Sequence, residues 1–178
     1  MRMKSWRNRV LCAAAAGSAL AAVTVYAAVS TTIASGTIDH TDLVGGPATT
    51  LIRTLTIGPN EVLGWHHHPG IGAITIVKQG TLTVEDGCGG ETVYTAGMAF
   101  VEPPGRVHRG KNLDESTEVI TAQAFVVPFG AATSISTARL CGAPADILEC
   151  RGGGWAQFNH PQPFSNQGDC EQFVITGK

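Results

Sequence analysis

An all-β fold, a barrel or a sandwich, is what this sequence predicts, on three observations. From Thr49 onward, short runs rich in Val, Ile and Thr alternate with turn signals at nearly regular spacing. Glycine is abundant, at 22 of 178 residues, and charged residues are only 15%, which suits strands joined by tight turns. No helical period of useful length occurs before residue 140. A chain of this size supports one ordinary core.

The N-terminus stands apart from that pattern. Arg2, Lys4, Arg7 and Arg9 precede an uncharged run from Val10 to Ile38. A basic head before an Ala-rich apolar stretch is the layout of a secretory signal, and small residues permit cleavage after Ala27 or Ala34. Uncleaved, the run is long enough to anchor in a bilayer. Its Ala, Thr and Ser content makes it only weakly apolar, which favours a cleaved signal over residues 1–34 and a secreted, extracytoplasmic protein. Residues 35–48 read as a linker.

Residues 49–140 form the predicted barrel. The candidate strands are 49–57, 61–66, 73–78, 81–85, 91–95, 98–102, 106–111 and 117–127. Turns fall at Gly58-Pro59-Asn60, Pro69-Gly70, Gln79-Gly80, Asp86-Gly87, Ala96-Gly97 and Pro103-Pro104-Gly105. Residues 141–178 form a Gly- and aromatic-rich tail, mostly irregular, with one short helix around Asn166–Ile175. Alone it cannot bury a core.

Charge and cysteine content narrow the function classes. The chain has 12 basic and 14 acidic residues, and four of the basic ones lie in the N-terminal head. Without that head the net charge falls from −2 to −6, so no basic stripe is left to favour nucleic acid. A membrane is a partner only if the N-terminal segment is uncleaved. Cys88, Cys141, Cys150 and Cys170 remain, and an even number in an oxidising compartment reads as two disulfides. Three pairings are possible. Cys88–Cys141 with Cys150–Cys170 is the favoured one. A zinc cluster of Cys141, Cys150, His160 and Cys170 is the alternative, weakened by the lack of a close Cys-x-x-Cys pair.

The chemistry-bearing feature is Trp65-His66-His67-His68 together with His108. On a strand, alternate side chains share a face, so His66 and His68 point the same way, roughly 6.6 Å apart, and His67 points the other way. His108 follows the rigid Pro103-Pro104-Gly105 turn and can bring a third imidazole to the same ion. Three His with open positions is a recognised catalytic-metal arrangement. Glu102 and Arg106 flank that turn and read as a solvated rim. Gln123 reads as bonded to backbone, Trp65 and Tyr94 as packing, and Lys111 with Asp114-Glu115 as an ordinary charged loop.

Gly97, Pro103, Gly105, His108 and Asn112 reproduce the pattern Gly-x5-Pro-x-Gly-x2-His-x3-Asn without departure. His66, His68 and Gly80 fit the companion pattern Gly-x5-His-x-His-x3/4-Glu-x6-Gly, with Asn60 in the first Gly slot. In these motifs the chain resembles the cupin superfamily over about residues 49–138. The resemblance implies a double-stranded β-helix, or jelly-roll, barrel. It also implies one divalent metal ion (Fe, Mn, Zn or Cu) on His66, His68 and His108. Ala73 stands where the family has its ligating Glu, and no acid lies between Glu61 and Glu85. The implied site therefore has three His and no carboxylate, leaving one position to water or ligand. The function expected is a small-molecule, oxygenase-like enzyme, or alternatively a non-catalytic module binding a metal or small ligand. A homodimer is expected from the same resemblance.

Overall fold

The computed structural model describes residues 27–178; the predicted signal lies mostly outside them. Ten strands run β1 Val29–Thr41, β2 Gly46–Ile57, β3 His66–His67, β4 Ala73–Gln79, β5 Thr81–Asp86, β6 Glu91–Thr95, β7 Ala99–Glu102, β8 His108–Lys111, β9 Val119–Pro128 and β10 Ile135–Ser136. They form two five-stranded antiparallel sheets, ordered β1-β2-β9-β4-β7 and β10-β3-β8-β5-β6. This is the expected double-stranded β-helix.

Period-two patterning sets what faces the interior. Along β9, Val119, Thr121, Gln123, Phe125 and Val127 are buried and the residues between them are not. Along β4 the buried positions are Ala73, Thr75 and Val77. One core cluster gathers Ile57, Val77, Leu82 and Val119, and a second gathers Ala73, Phe125 and Val127. Gln123 and Thr75 lie between these clusters, so the middle of the barrel is polar.

The motif residues outside the His set hold the loops. Asn112 is fully buried, and its Nδ2 donates to the carbonyls of Ile57, Gly58 and Thr117 at 3.1, 2.9 and 2.8 Å. Asn60, in the slot where the family pattern has Gly, takes the left-handed conformation with φ +56°. Asn tolerates that region better than other side chains, which explains why the pattern survives the exchange.

Two expectations about the chain's ends need correction. Residues 35–48 are not a linker, and the sheet begins inside the segment assigned to the signal. β1 starts at Val29 and pairs with β2 from Val29↔Thr56 to Thr41↔Gly46. It is an edge strand exposed along both faces. Backbone pairing holds it without an apolar face, so no alternation marks it in sequence.

The tail is more ordered than expected. It has a short helix α1 at Ile147–Cys150, 3₁₀ turns within Arg151–Gln157 kinked at Gly152 and Gly153, and α2 at Gln167–Thr176, which Asn166 caps. Cys141, Cys150, Phe158, Phe164 and Cys170 make its small core. Disulfides join Cys88 to Cys141 and Cys150 to Cys170, with Cα atoms 4.5 and 5.7 Å apart. This is the favoured pairing, and it uses up the three cysteines of the alternative zinc cluster. Arg106, expected on a solvated rim, instead clamps tail to barrel. It is largely buried, donates to both carboxylate oxygens of Glu149 at 2.9 and 3.1 Å, and reaches Asp86 at 3.2 Å. Among the described residues no helix is long and apolar enough to cross a membrane.

Candidate metal centre

His66 on β3 and His108 on β8 are directly paired across the antiparallel ladder, so their side chains share the inner face. His68 leaves β3 two residues on and returns to that face, fully buried. The three rings lie 4.6–5.1 Å apart between centroids. One nitrogen from each falls within 4.8 Å of the others, close enough to hold a metal ion. His67 points away, as expected, and packs its ring 5.2 Å from that of His160.

Each ring is oriented by a backbone carbonyl. Nδ1 of His66 lies 2.8 Å from Gly64 O, that of His68 2.6 Å from Thr133 O, and that of His108 3.0 Å from Arg106 O. A carbonyl only accepts, so each Nδ1 carries the proton and each Nε2 presents a lone pair. Nε2 of His68 and of His108 are buried and make no hydrogen bond. Buried polar atoms without partners are uncommon. Two aimed at one point suit a shared cation, and such carbonyl-oriented imidazoles are the usual outer support of metal ligands.

A carboxylate is present after all. Glu102, expected on the solvated rim, is 7% exposed and reaches into this cluster. Its Oε2 lies 3.1 Å from His68 Nε2 and its Oε1 lies 3.8 Å from His108 Nε2. With Nδ1 protonated, His68 turns a lone pair, not a proton, toward that oxygen. The contact is not an aligned hydrogen bond, and Oε2 is left without a partner. A cation between the groups relieves that repulsion, so the donor set fits a divalent ion.

The strand register explains how the carboxylate arrives. Glu102 on β7 is the direct cross-strand partner of Ala73 on β4. Directly opposed residues share a face with Cβ atoms about 5 Å apart. Ala73 is fully buried and small, and the carboxylate comes from the neighbouring strand instead. Gly72 permits the close approach. It adopts φ +82°, and a Cβ there would lie 2.0 Å from the Glu102 carbonyl oxygen. The donors that lie within 4.8 Å of one another are those of His66, His68 and His108, as expected, and Glu102 stands beside that set.

Charge within the cluster is strongly perturbed. Burial first, then neighbouring His108, depresses His66 to about 4. Burial also lowers His108, against the attraction of Glu102. Burial alone would raise Glu102, but the positive charge that the neighbouring imidazoles carry when protonated outweighs it and holds the carboxyl below its ordinary value.

The cluster opens on a cavity of about 240 Å³. Leu55, Ile57, Leu63, Leu82 and Val84 form its apolar wall, with Arg53 and Gln123 on the polar side. Gln123 bonds to side chains and not, as expected, to backbone: its Oε1 accepts from Arg53 Nε at 2.8 Å and its Nε2 donates to Thr75 Oγ1 at 3.1 Å. Tyr94 stacks on Phe100 with centroids 3.8 Å apart, and Trp65 lies between the guanidinium groups of Arg109 and Arg139, so both aromatics pack. Sequence reasoning missed Glu102 and Arg53. Both had a signal in strand alternation: Glu102 shares the register of Phe100, and Arg53 the register of Leu51, Leu55 and Ile57.

Fold and donor set together define a β-barrel with a candidate metal centre. Residues 53–122 match the family model of the cupin domain. The match covers 70 of the 178 residues, all within the barrel, and agrees with the family resemblance of the two His motifs. No curated protein matches the chain significantly. Among solved structures it is similar to a cupin-like protein from Thermotoga maritima at 19% identity and TM-score 0.43, over 49% of this chain and 64% of that one. It thus spans less than two thirds of that protein. A double-stranded β-helix protein from Klebsiella pneumoniae matches at 24% identity and TM-score 0.42, over 50% and 75%. A cupin superfamily protein from Desulfitobacterium hafniense matches at 10% identity and TM-score 0.43, over 57% and 78%.

Proposed function

We propose that the barrel holds one divalent metal ion on His66, His68 and His108, with Glu102 as its carboxylate, and acts on a small molecule outside the cytoplasm. The observation that carries this reading is the shared orientation of three imidazoles whose Nδ1 atoms face backbone carbonyls while their Nε2 lone pairs converge on one point. A His-rich set with one carboxylate suits Fe, Mn, Zn or Cu. Such an ion supplies Lewis-acid or one-electron chemistry to a bound ligand. The chain's own residues do the rest: the carbonyls fix the rings, Glu102 offsets charge, and the Leu55–Ile57–Leu82 wall limits water. Two disulfides support an oxidising, extracytoplasmic setting. An oxygenase-like enzyme is the favoured form. A storage or sensing module would use the same residues without turnover.

Elemental analysis of the protein recovered from its own compartment tests the reading. About one equivalent of a transition metal per chain is expected, and none in the double variant His66→Ala/His108→Ala, whose far-ultraviolet dichroism should still report a barrel. A native protein that neither carries nor takes up Fe, Mn, Co, Cu or Zn would sink it. Dioxygen consumption by the metal-loaded protein across a panel of small organic acids then separates enzyme from binding module.

A further inference from the structure

We infer that Arg53 is a carboxylate-recognition residue, so that the barrel cavity takes a small organic anion with a short apolar body. The inference builds on the metal reading only for what meets the ligand's other end. β2 alternates Leu51-x-Arg53-x-Leu55-x-Ile57, which places one cation in an otherwise apolar inward register. Arg53 lines the same cavity as His66, His108 and Glu102.

The guanidinium is held as a ligand-binding group is held. Nε donates to Gln123 Oε1 at 2.8 Å, and Gln123 is itself fixed by Thr75 at 3.1 Å. The three residues form one row across the sheet, since Arg53 pairs with Gln123 and Gln123 with Thr75. The Phe125 ring lies 4.7 Å from the guanidinium carbon and supports its flat face. Both terminal amino groups make no hydrogen bond and no ion pair among the described residues. Glu102 is drawn toward the histidines instead.

A partly buried guanidinium is costly without a partner. Burial pulls its affinity for a proton down, against the attraction of Glu102, yet Arg stays charged in proteins. The fork geometry of the two terminal amino groups matches a carboxylate in a bidentate pair. A cavity of about 240 Å³ lies just below the usual range for small-molecule sites, roughly 300–1,000 Å³. With an apolar wall of Leu55, Leu63 and Val84, that space fits a carboxylate bearing a few carbons rather than a sugar or a nucleotide. A purely structural Arg53, packed on Phe125, would not distinguish an acid from its amide.

Calorimetric titration of the full exported chain with butyrate and with butyramide makes that distinction. The proteins are the native form, Arg53→Met and Arg53→Lys, each without metal and loaded with Co(II), whose visible spectrum reports metal uptake in the same samples. The native protein is expected to prefer butyrate by roughly tenfold or more, the scale of charge-assisted hydrogen bonds. Arg53→Met should lose the preference and Arg53→Lys recover part of it. Equal binding of the two probes, binding of neither, or a preference that survives in a folded Arg53→Met overturns the inference. If the native protein takes no Co(II) yet keeps an Arg53-dependent preference for butyrate, the metal reading fails and this inference stands.

Discussion

Glu102 decides the charge of the site. Its carboxylate stands 3.1 Å from a lone pair of His68, so in the metal-free protein it is a cost as well as an asset. Glu102→Gln should weaken metal binding by roughly 10–100-fold, the range seen when a positioning carboxylate is removed, without lowering the melting temperature of the metal-free protein. Thermal melts with and without added Zn(II) separate the two effects, because a ligand stabilises in proportion to its affinity. His66 gives a pH signature. Its imidazole takes a proton near 4 in the folded protein, against an ordinary value near 6.5. The unfolded chain therefore binds the proton first, and stability falls as pH drops through the window from about 6.5 to about 4. Melting of the metal-free protein should be flat from pH 7 to 8 and decline below 6.5, and His66→Gln should flatten the decline. The histidines were legible because their spacing names their face. Glu102 was not, because a residue beside a Pro-Pro-Gly turn looks solvent-facing until β7 is paired with β4.

Among the elements, β2, β4, β5, β7, β8 and β9, which follow apolar alternation or turn signals, and the mostly exposed β6, which turns bracket, were read to within two or three residues. The stretch expected as a strand over 61–66 is mostly loop, with a single bridge at Val62 and β3 reduced to two residues. β1 and β10 were not read, because both are exposed and neither carries alternation. β1 also bears on processing. Cleavage after Ala34 would remove Val29–Ala34 and their pairing with Ile52–Thr56, whereas cleavage after Ala27 leaves the strand whole. Export with signal cleavage would therefore place the mature N-terminus at Ala28, and intact-mass measurement of protein recovered from its own compartment checks it. A mass corresponding to a start at Ser35 would mean that β1 is shortened in the working protein.

For the molecule as a whole, the outer face of the larger sheet is unusually apolar. Ala34, Ile52, Ala124, Ile74 and Val101 form one row across all five strands by direct pairing. Ile52, Ile74 and Val101 are 44%, 45% and 62% exposed, and Ile76 beside them is 45% exposed. Rows of this kind mark association surfaces, in keeping with the homodimer expected from the family resemblance. Sedimentation at micromolar concentration should give a dimer, and Ile74→Lys should give a monomer that still takes up metal. A monomeric native protein would remove the expectation.

The cross-strand pairing of Ala73 with Glu102 separates a ligand's address in the chain from its address in space. On the proposed site, two positions 29 residues apart could serve the same ion because they face one another on the ladder. Exchanging them, Ala73→Glu with Glu102→Ala, should therefore restore metal affinity that Glu102→Ala alone loses. Ala73→Glu alone should crowd two carboxylates together and raise the proton affinity of the pair. The two substitutions should be strongly non-additive, as contacting positions are. A linear motif scores this barrel as lacking its acid, whereas a search over cross-strand neighbours finds Glu102 on the same rung of the adjacent strand. Other barrels dismissed as degenerate can be re-read by the same rule.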